Sequence, residues 1–436
     1  MAQHTWRNWA RTHSSTPHRF ETPRSVAELS TLVAKAAEQG LHVKPVGAGH
    51  SFTGVAVTDG VLVSLDNIAG IESVRTTPEG PVATVLAGTR LRSLNDQLWD
   101  RGLAMINLGD IDVQSIAGAL STGTHGTGAQ FGGLATVIRG LQIVLADGSV
   151  VDCSDSENPD LYQAAKIGLG AIGIISKLDL AVQPAFTLRA VESPARLDET
   201  LEGLEHDLAT VDHFEFYWFP HTNRVLTKRN TRLPGDSPLQ PVSPIRSFID
   251  DELLSNTVFE GVNRVTTAVP SAIPQINQIS ARALSAREFT DRSYRVFASP
   301  RRVRFREMEY AVPQETVKDT LREISTWLDR SDCRIAFPVE VRFAPADDLW
   351  MSTASGRDSA YIAVHQYYRR DHREYFDAVE AIARAVDGRP HWGKMHSRTA
   401  ADLRPTYARF DDFCAVRDKY DPSRVFDNDY LRQVLA

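Results

Sequence analysis

The chain has 436 residues, enough for two or three domains with substantial cores. With 48 Lys and Arg against 55 Asp and Glu, its net charge is −7, which gives no electrostatic basis for binding nucleic acid or an anionic membrane. Hydrophobic residues make up 42% and charged residues 24%, the balance of a soluble globular protein, and no run of about 18 apolar residues is present to span a bilayer.

The opening "MAQHTWRNWARTHSS" has no apolar core of signal-peptide length. Cys153, Cys333 and Cys414 are odd in number, widely spaced and in no metal-ligand pattern, so they read as reduced thiols of a cytoplasmic protein. "SVAELSTLVAKAAEQG" predicts a helix. Ser25 and Glu28 form a capping box, Val26, Leu29, Val33 and Ala36 share a face, and Gly40 is placed to end it. "LHVKPV", "GVLVSL" and "PVATVLAG" read as strands, "LRSLNDQLWDRG" as a helix, and "LQIVLADGSVVDC" as a hairpin turning at Asp147-Gly148. Residues 159–183 read as a short helix, a glycine turn "GLGAIG" and a long strand.

After Pro184 the pattern changes, and a domain boundary is expected near residue 185. "HFEFYWF" and "VRFREMEYAV" alternate like sheet strands, separated by a Pro/Ser-rich loop (residues 233–244) and a helical region. "HREYFDAVEAIARAVDG" is an amphipathic helix.

Two glycine loops stand out. In "VKPVGAGHSF", the residues Gly47-Ala48-Gly49-His50-Ser51 could be no more than a tight turn. Glycine there would also let backbone N–H groups approach a phosphate. The Rossmann fingerprint is absent, because strand and turn follow instead of a third glycine and a helix. "GDIDVQSIAGALSTGTHGTGAQFGG", Gly109 to Gly133, packs seven glycines and several hydroxyls into 25 residues. Such density costs backbone entropy and makes sense where many amides wrap a polyanion such as a pyrophosphate.

"PVGAGHSF", "SIAGALSTGTHGTG" and "GLGAIGIIS", in this order and spacing, resemble the FAD-binding domain of the vanillyl-alcohol-oxidase flavoprotein family. "EVRFAPADD", "GRDSAYI", "GRPHWGKMH" and "KYDPSRVFDNDYL" resemble its sugar-lactone oxidase branch, with the alditol oxidases as more distant relatives. The resemblance implies an α+β fold with a PCMH-type FAD-binding domain at 1–185. A sheet-plus-helix substrate domain would occupy 186–415, and the segment 416–436 would return to the first domain. It also implies that His50 bonds covalently to the 8α-methyl carbon of FAD. Val46, Gly47, Ala48, Gly49, Ser51 and Phe52 would cradle the pyrophosphate with Ser115, Gly118, Ala119, Ser121, Thr122 and Gly123, and His125 would help orient the second loop around the cofactor. Gly173 and Ile174 would lie at the adenine end. His42, His206, His213 and His372 show no metal-ligand spacing, and no metal site is expected.

In "FPVEVRFA", alternation puts Glu340 and Arg342 on one strand face and Val339, Val341 and Phe343 on the other. Taken alone, such a pair is usually a surface feature. By resemblance it lines the pocket over the flavin, Glu340 accepting from a substrate hydroxyl and Arg342 polarising the one oxidised. Lys394 would stabilise negative charge on the reduced flavin. His365, which matches a substrate-contacting histidine of the alditol oxidases, and Tyr367, which alternation puts on the same strand face, would contact substrate. Asp110 would either bind a substrate hydroxyl or repel the reduced anionic cofactor. Asp110 departs from the serine of relatives, and Gly109 occupies the position where, in the family, glycine or proline accompanies reaction with dioxygen and alanine blocks it. The expected activity is oxidation of an aldono-1,4-lactone (L-gulono-, L-galactono- or D-arabinono-) by hydride transfer, with O2 reduced to hydrogen peroxide. Alternatives are an alditol or polyol oxidase, a dehydrogenase passing electrons to a cytochrome or quinone, and a flavin-free binding protein that keeps the fold.

Overall fold

The computed structural model describes residues 5–243, 257–299 and 302–436. Its first third realises the alternating pattern. The expected helix spans Val26–Glu38, with Ser25 Oγ accepting from the Glu28 amide and Gly40 in the left-handed region at φ 65°. The Glu28 carboxylate accepts from the Arg24 amide, one residue earlier than a standard capping box would place it. Strands Arg19–Glu21, Val61–Ser64 and Val43–Val46 form a small parallel sheet with Val61–Ser64 in the centre. A five-stranded antiparallel sheet follows in the order Val150–Cys153, Ile138–Val144, Ile174–Ala181, Gly80–Leu86, Ile71–Thr77, and its first two strands are the expected hairpin.

The second glycine loop is more ordered than its composition suggests, because a short helix, Ile116–Ser121, sits inside it. Its apolar residues Ile116, Ala119 and Leu120 are buried in the first core.

An eight-stranded antiparallel sheet carries the rest. Its order is Arg287–Arg292, Phe186–Ala195, Arg224–Pro234, His213–Phe219, Val339–Ala344, Ser359–Tyr367, Phe305–Pro313, Arg389–Pro390. The Pro/Ser-rich loop begins after Pro234, and its last residue, 244, lies outside the described residues. Helices Phe259–Ala268 and Ile273–Ala283 account for the helical region.

Period-two alternation divides the central strands between two faces. Phe214, Phe216, Trp218, Val339, Val341, Phe343, Met308, Tyr310, Val312, Ile362 and Val364 pack with helices Val317–Arg330 and Arg373–Ala385 in the second core. Burying a side chain of this size contributes about 1.5–3 kcal/mol, so this face fixes the register. The opposite face therefore carries Glu215, Tyr217, Glu340, Arg342, Glu307, Glu309 and His365.

The two parts are joined by backbone. Gly128 N–H donates to Phe343 O at 2.8 Å, and Phe52 N–H to Gly393 O at 2.7 Å. The chain then returns to the first core through Trp392, Tyr407, Phe410, Phe413, Phe426 and Leu431. Val43 N–H donates to Val425 O, and the Asn428 amide group donates to the carbonyls of Gly54, Val55 and Val57. None of the three cysteines is bonded to another, and no helix among the described residues is long and apolar enough to cross a membrane.

Candidate active site

An elongated cavity runs through the first domain, enclosing about 1130 Å³ of space, solvent at its mouth included. Val46, Gly47, Ala48, Gly49, His50 and Ser51 form one wall, and Ser115, Gly118, Ser121 and Thr122 another. Gly168, Leu169, Gly170, Gly173 and Ile174 close the far end. The two glycines of the first wall answer to different constraints, crowding by Ser115 at Gly47 and backbone conformation at Gly49. A Cβ on Gly47 would lie 2.2 Å from Ser115 Oγ, and Gly49 adopts φ 67°. The cavity fits an extended polyanion with donors and acceptors along it, and Gln114 Oε1, buried on its wall, has no partner within the protein.

His50, Ser51, Gln114 and Thr122 line this cavity and a second one that continues from it under the eight-stranded sheet. The second is lined by Gly109, Asp110, His125, Glu307, Glu309, Arg342, His365, His391 and Lys394. Buried charge needs partners, and here each has them. Arg342 Nε donates to Glu215 Oε2 at 2.9 Å and Nη2 lies 2.5 Å from Glu340 Oε1, while Nη1 faces Asp110 at 3.8 Å. Burial alone would lower the Arg342 pKa, but Glu340, Glu215 and Asp110 together raise it well above the ordinary value, so it is a fixed cation. Lys394 Nζ lies 2.5 Å from Glu307 Oε2, and His365 Nε2 lies 3.5 Å from Glu307 Oε1. At the neck, the Trp9 ring stacks on His50 with centroids 5.1 Å apart. Burial, with Lys394 next, lowers the His50 pKa to about 4, leaving a neutral imidazole at neutral pH.

The D-arabinono-1,4-lactone oxidase family model matches residues 178–434, and an FAD-binding-domain model matches residues 17–154. The chain belongs to this lactone oxidase family. It is 42% identical over 431 residues to the L-gulono-1,4-lactone dehydrogenase of Mycobacterium tuberculosis, covering 99% of each chain. It is 34% identical to the L-gulonolactone oxidase of Bos taurus, covering 99% of this chain and 98% of that one. Among solved structures, cholesterol oxidase from B. sterolicum superposes with TM-score 0.82 at 16% identity, covering 100% of this chain and 97% of the other, a likeness of fold.

The protein is thus an FAD-dependent oxidoreductase with a two-domain, PCMH-type flavoprotein fold. Most of the residues expected to hold the cofactor line the first cavity, and Phe52, Gly109, Asp110, His125 and Lys394 line the second. Ala119 and Gly123 line neither; their amides donate to Ser115 O and Leu120 O, and that of Phe52 to Gly393 O. Glu340 is held by Arg342 and by the Tyr217 hydroxyl at 2.8 Å, behind the cavity wall. Tyr367 shares the strand face of His365, but its hydroxyl donates to Glu260 at 2.7 Å, and it packs beside Val303 and Phe337 instead of lining the cavity.

Of the remaining histidines, His213 is fully buried against Phe131, whereas His42 lies 4.0 Å from the exposed Asp59. His206 is on the exposed side of a short helix, and His372 accepts from Arg306.

Sequence reading did not single out Glu215, Glu307, Glu309 or His391. Alternation in "HFEFYWF" and "VRFREMEYAV" marks the three glutamates as opposite the apolar face, which is the signal available. Ligand atoms of His125, Glu309 and His391 lie within 4.8 Å of one another. Hydrogen bonding explains this cluster. His125 Nδ1 lies 2.8 Å from Gly126 O and its Nε2 lies 2.6 Å from Glu309 Oε1, so both ring nitrogens are engaged within the protein. His391 Nδ1 accepts from the Gly393 amide, so metal binding through Nε2 would require an imidazolate.

Proposed function

We propose that the protein oxidises an aldono-1,4-lactone of the L-gulono-, L-galactono- or D-arabinono- type, with FAD joined covalently to His50. The observation that carries this reading is a buried sheet face of paired charges over the second cavity, which continues from the glycine-walled one. An apolar ligand would gain nothing from it. A polyhydroxylated ring would find donors and acceptors fixed in place before it arrives.

FAD bound along the first cavity supplies the hydride acceptor. Arg342, clamped from behind by Glu340 and Glu215, directs its remaining N–H groups at the substrate oxygen. It stabilises the negative charge that grows there as the hydroxyl proton passes to solvent. Lys394 supplies positive charge on the adjoining wall, and Asp110 and His365 orient neighbouring hydroxyls. The neutral His50 ring has the nitrogen lone pair that covalent attachment requires.

Dioxygen is the proposed electron acceptor, giving hydrogen peroxide. Gly109 lies on the wall of the second cavity, and a Cβ there would be crowded at 3.2 Å from His125 O and 3.4 Å from Thr124 Cγ2, so the position favours a residue without a side chain. A second reading, in which a cytochrome or quinone accepts the electrons, is favoured by the dehydrogenase name of the mycobacterial relative. A panel of lactones and alditols, assayed for peroxide and for reduction of cytochrome c or a quinone analogue, tests both. Turnover of alditols alone would overturn the lactone reading, and carrier reduction without peroxide would select the second acceptor.

A further inference from the structure

The strand Phe305–Pro313 puts two glutamates on the cavity side, and their partners differ. Glu309 is committed to His125 of the glycine loop. Glu307 is 5% exposed and lies between two cavity-lining groups, Lys394 at 2.5 Å and His365 at 3.5 Å. The surrounding backbone fixes this arrangement. Glu307 and His365 are directly opposite in the antiparallel register, and Met395 N–H donates to Glu307 O at 2.9 Å, which brings residue 394 alongside. His365 Nδ1 lies 3.2 Å from Pro338 O and so carries a proton, which turns Nε2 towards Glu307.

We propose that Glu307 is a positioning residue that holds the Lys394 ammonium and the His365 ring against the flavin cavity and balances the charge of the ammonium. The assignment rests on the cofactor reading above, with the flavin ring at the junction of the two cavities, but not on the identity of the substrate. Burial would raise the pKa of Glu307, and Lys394 and then His365 overcome that and hold it below the ordinary value, so it is a carboxylate at neutral pH. Without it, the ammonium would be an uncompensated charge in a site of low effective dielectric. A unit charge within about 8 Å, at an effective dielectric of about 20, shifts a neighbouring charge equilibrium by more than tenfold.

The test is the flavin reduction equilibrium of purified, FAD-loaded protein, measured against a reference dye without substrate at about pH 6, where the ammonium stays protonated. In Glu307→Gln the equilibrium should move at least tenfold towards reduced flavin, about 30 mV for a two-electron couple. Lys394→Met should move it oppositely, and the double variant should return to within about threefold of wild type. Glu307→Asp, which keeps the charge on a shorter arm, should leave the equilibrium near wild type. An unchanged equilibrium in Glu307→Gln, or a double variant that stays displaced, would overturn the proposal. If Glu307→Gln fails to retain FAD, the charge-neutral double variant should retain it with a near-native potential, and loss of FAD from both would also overturn it. A wild-type protein that loads no FAD would instead refute the cofactor reading.

Discussion

Arg342→Lys keeps the positive charge in the second cavity and removes the guanidinium fork. The fork spends Nε on Glu215 at 2.9 Å and Nη2 on Glu340 at 2.5 Å, and turns Nη1 towards Asp110 and the cavity. A lysine has one nitrogen, on a stem that cannot satisfy both carboxylates and still reach substrate. Each charged hydrogen bond at a buried site is worth about 1.5–3 kcal/mol, and lysine recovers one of two, so stability should fall by about 2 kcal/mol. Loss of the donor that meets developing charge should slow the chemical step by about 10²–10³-fold. The assay is anaerobic stopped-flow mixing with L-gulono-1,4-lactone, following bleaching of the flavin absorption, with thermal unfolding of the same preparation as control. A reduction rate within about threefold of wild type would show that the fork does not act on substrate and would refute the role given to Arg342.

The other expected outcomes use the same structure. His50→Ala should still bind FAD, because the glycine walls remain, but acid precipitation should release all of the pigment, whereas wild-type pellets stay yellow. His213 and His391 are buried, and desolvation lowers each pKa from 6.5 to about 4. Their contribution to stability is therefore full above about pH 6.5 and is lost as pH falls towards 4, so the melting temperature should drop across that window. A flat profile there would contradict neutral burial. Asn428→Ala removes the N-cap of the last helix and the donor to three carbonyls beside the His50 loop. Thermal unfolding should show a loss of about 2–3 kcal/mol.

Much of this site was legible in the sequence through the resemblance of its motifs to the flavoprotein family, to which alternation and glycine spacing added local support. The two faces of Val339–Ala344 follow from a period of two, and the glycines at 47 and 49 marked a tight turn or a phosphate-facing wall. The partners of Arg342 were not legible. Glu215 reaches it across a strand pairing 127 residues distant in sequence, and that register is set by the apolar face, not by the glutamate. Tyr367 shows the converse limit. Its place on the face of His365 was correctly read, yet Glu260, on a helix of the preceding segment, draws its hydroxyl away from the cavity. The short helix Ile116–Ser121 was hidden by the glycines around it, because burial of Ile116 and Leu120 outweighs their entropic cost.

The most direct measurement is anaerobic addition of an aldono-1,4-lactone to the purified yellow protein while the flavin absorption is recorded. The account expects full bleaching within a single turnover by at least one of the L-gulono-, L-galactono- or D-arabinono-lactones. A protein loaded with FAD whose flavin stays oxidised with all three would contradict it.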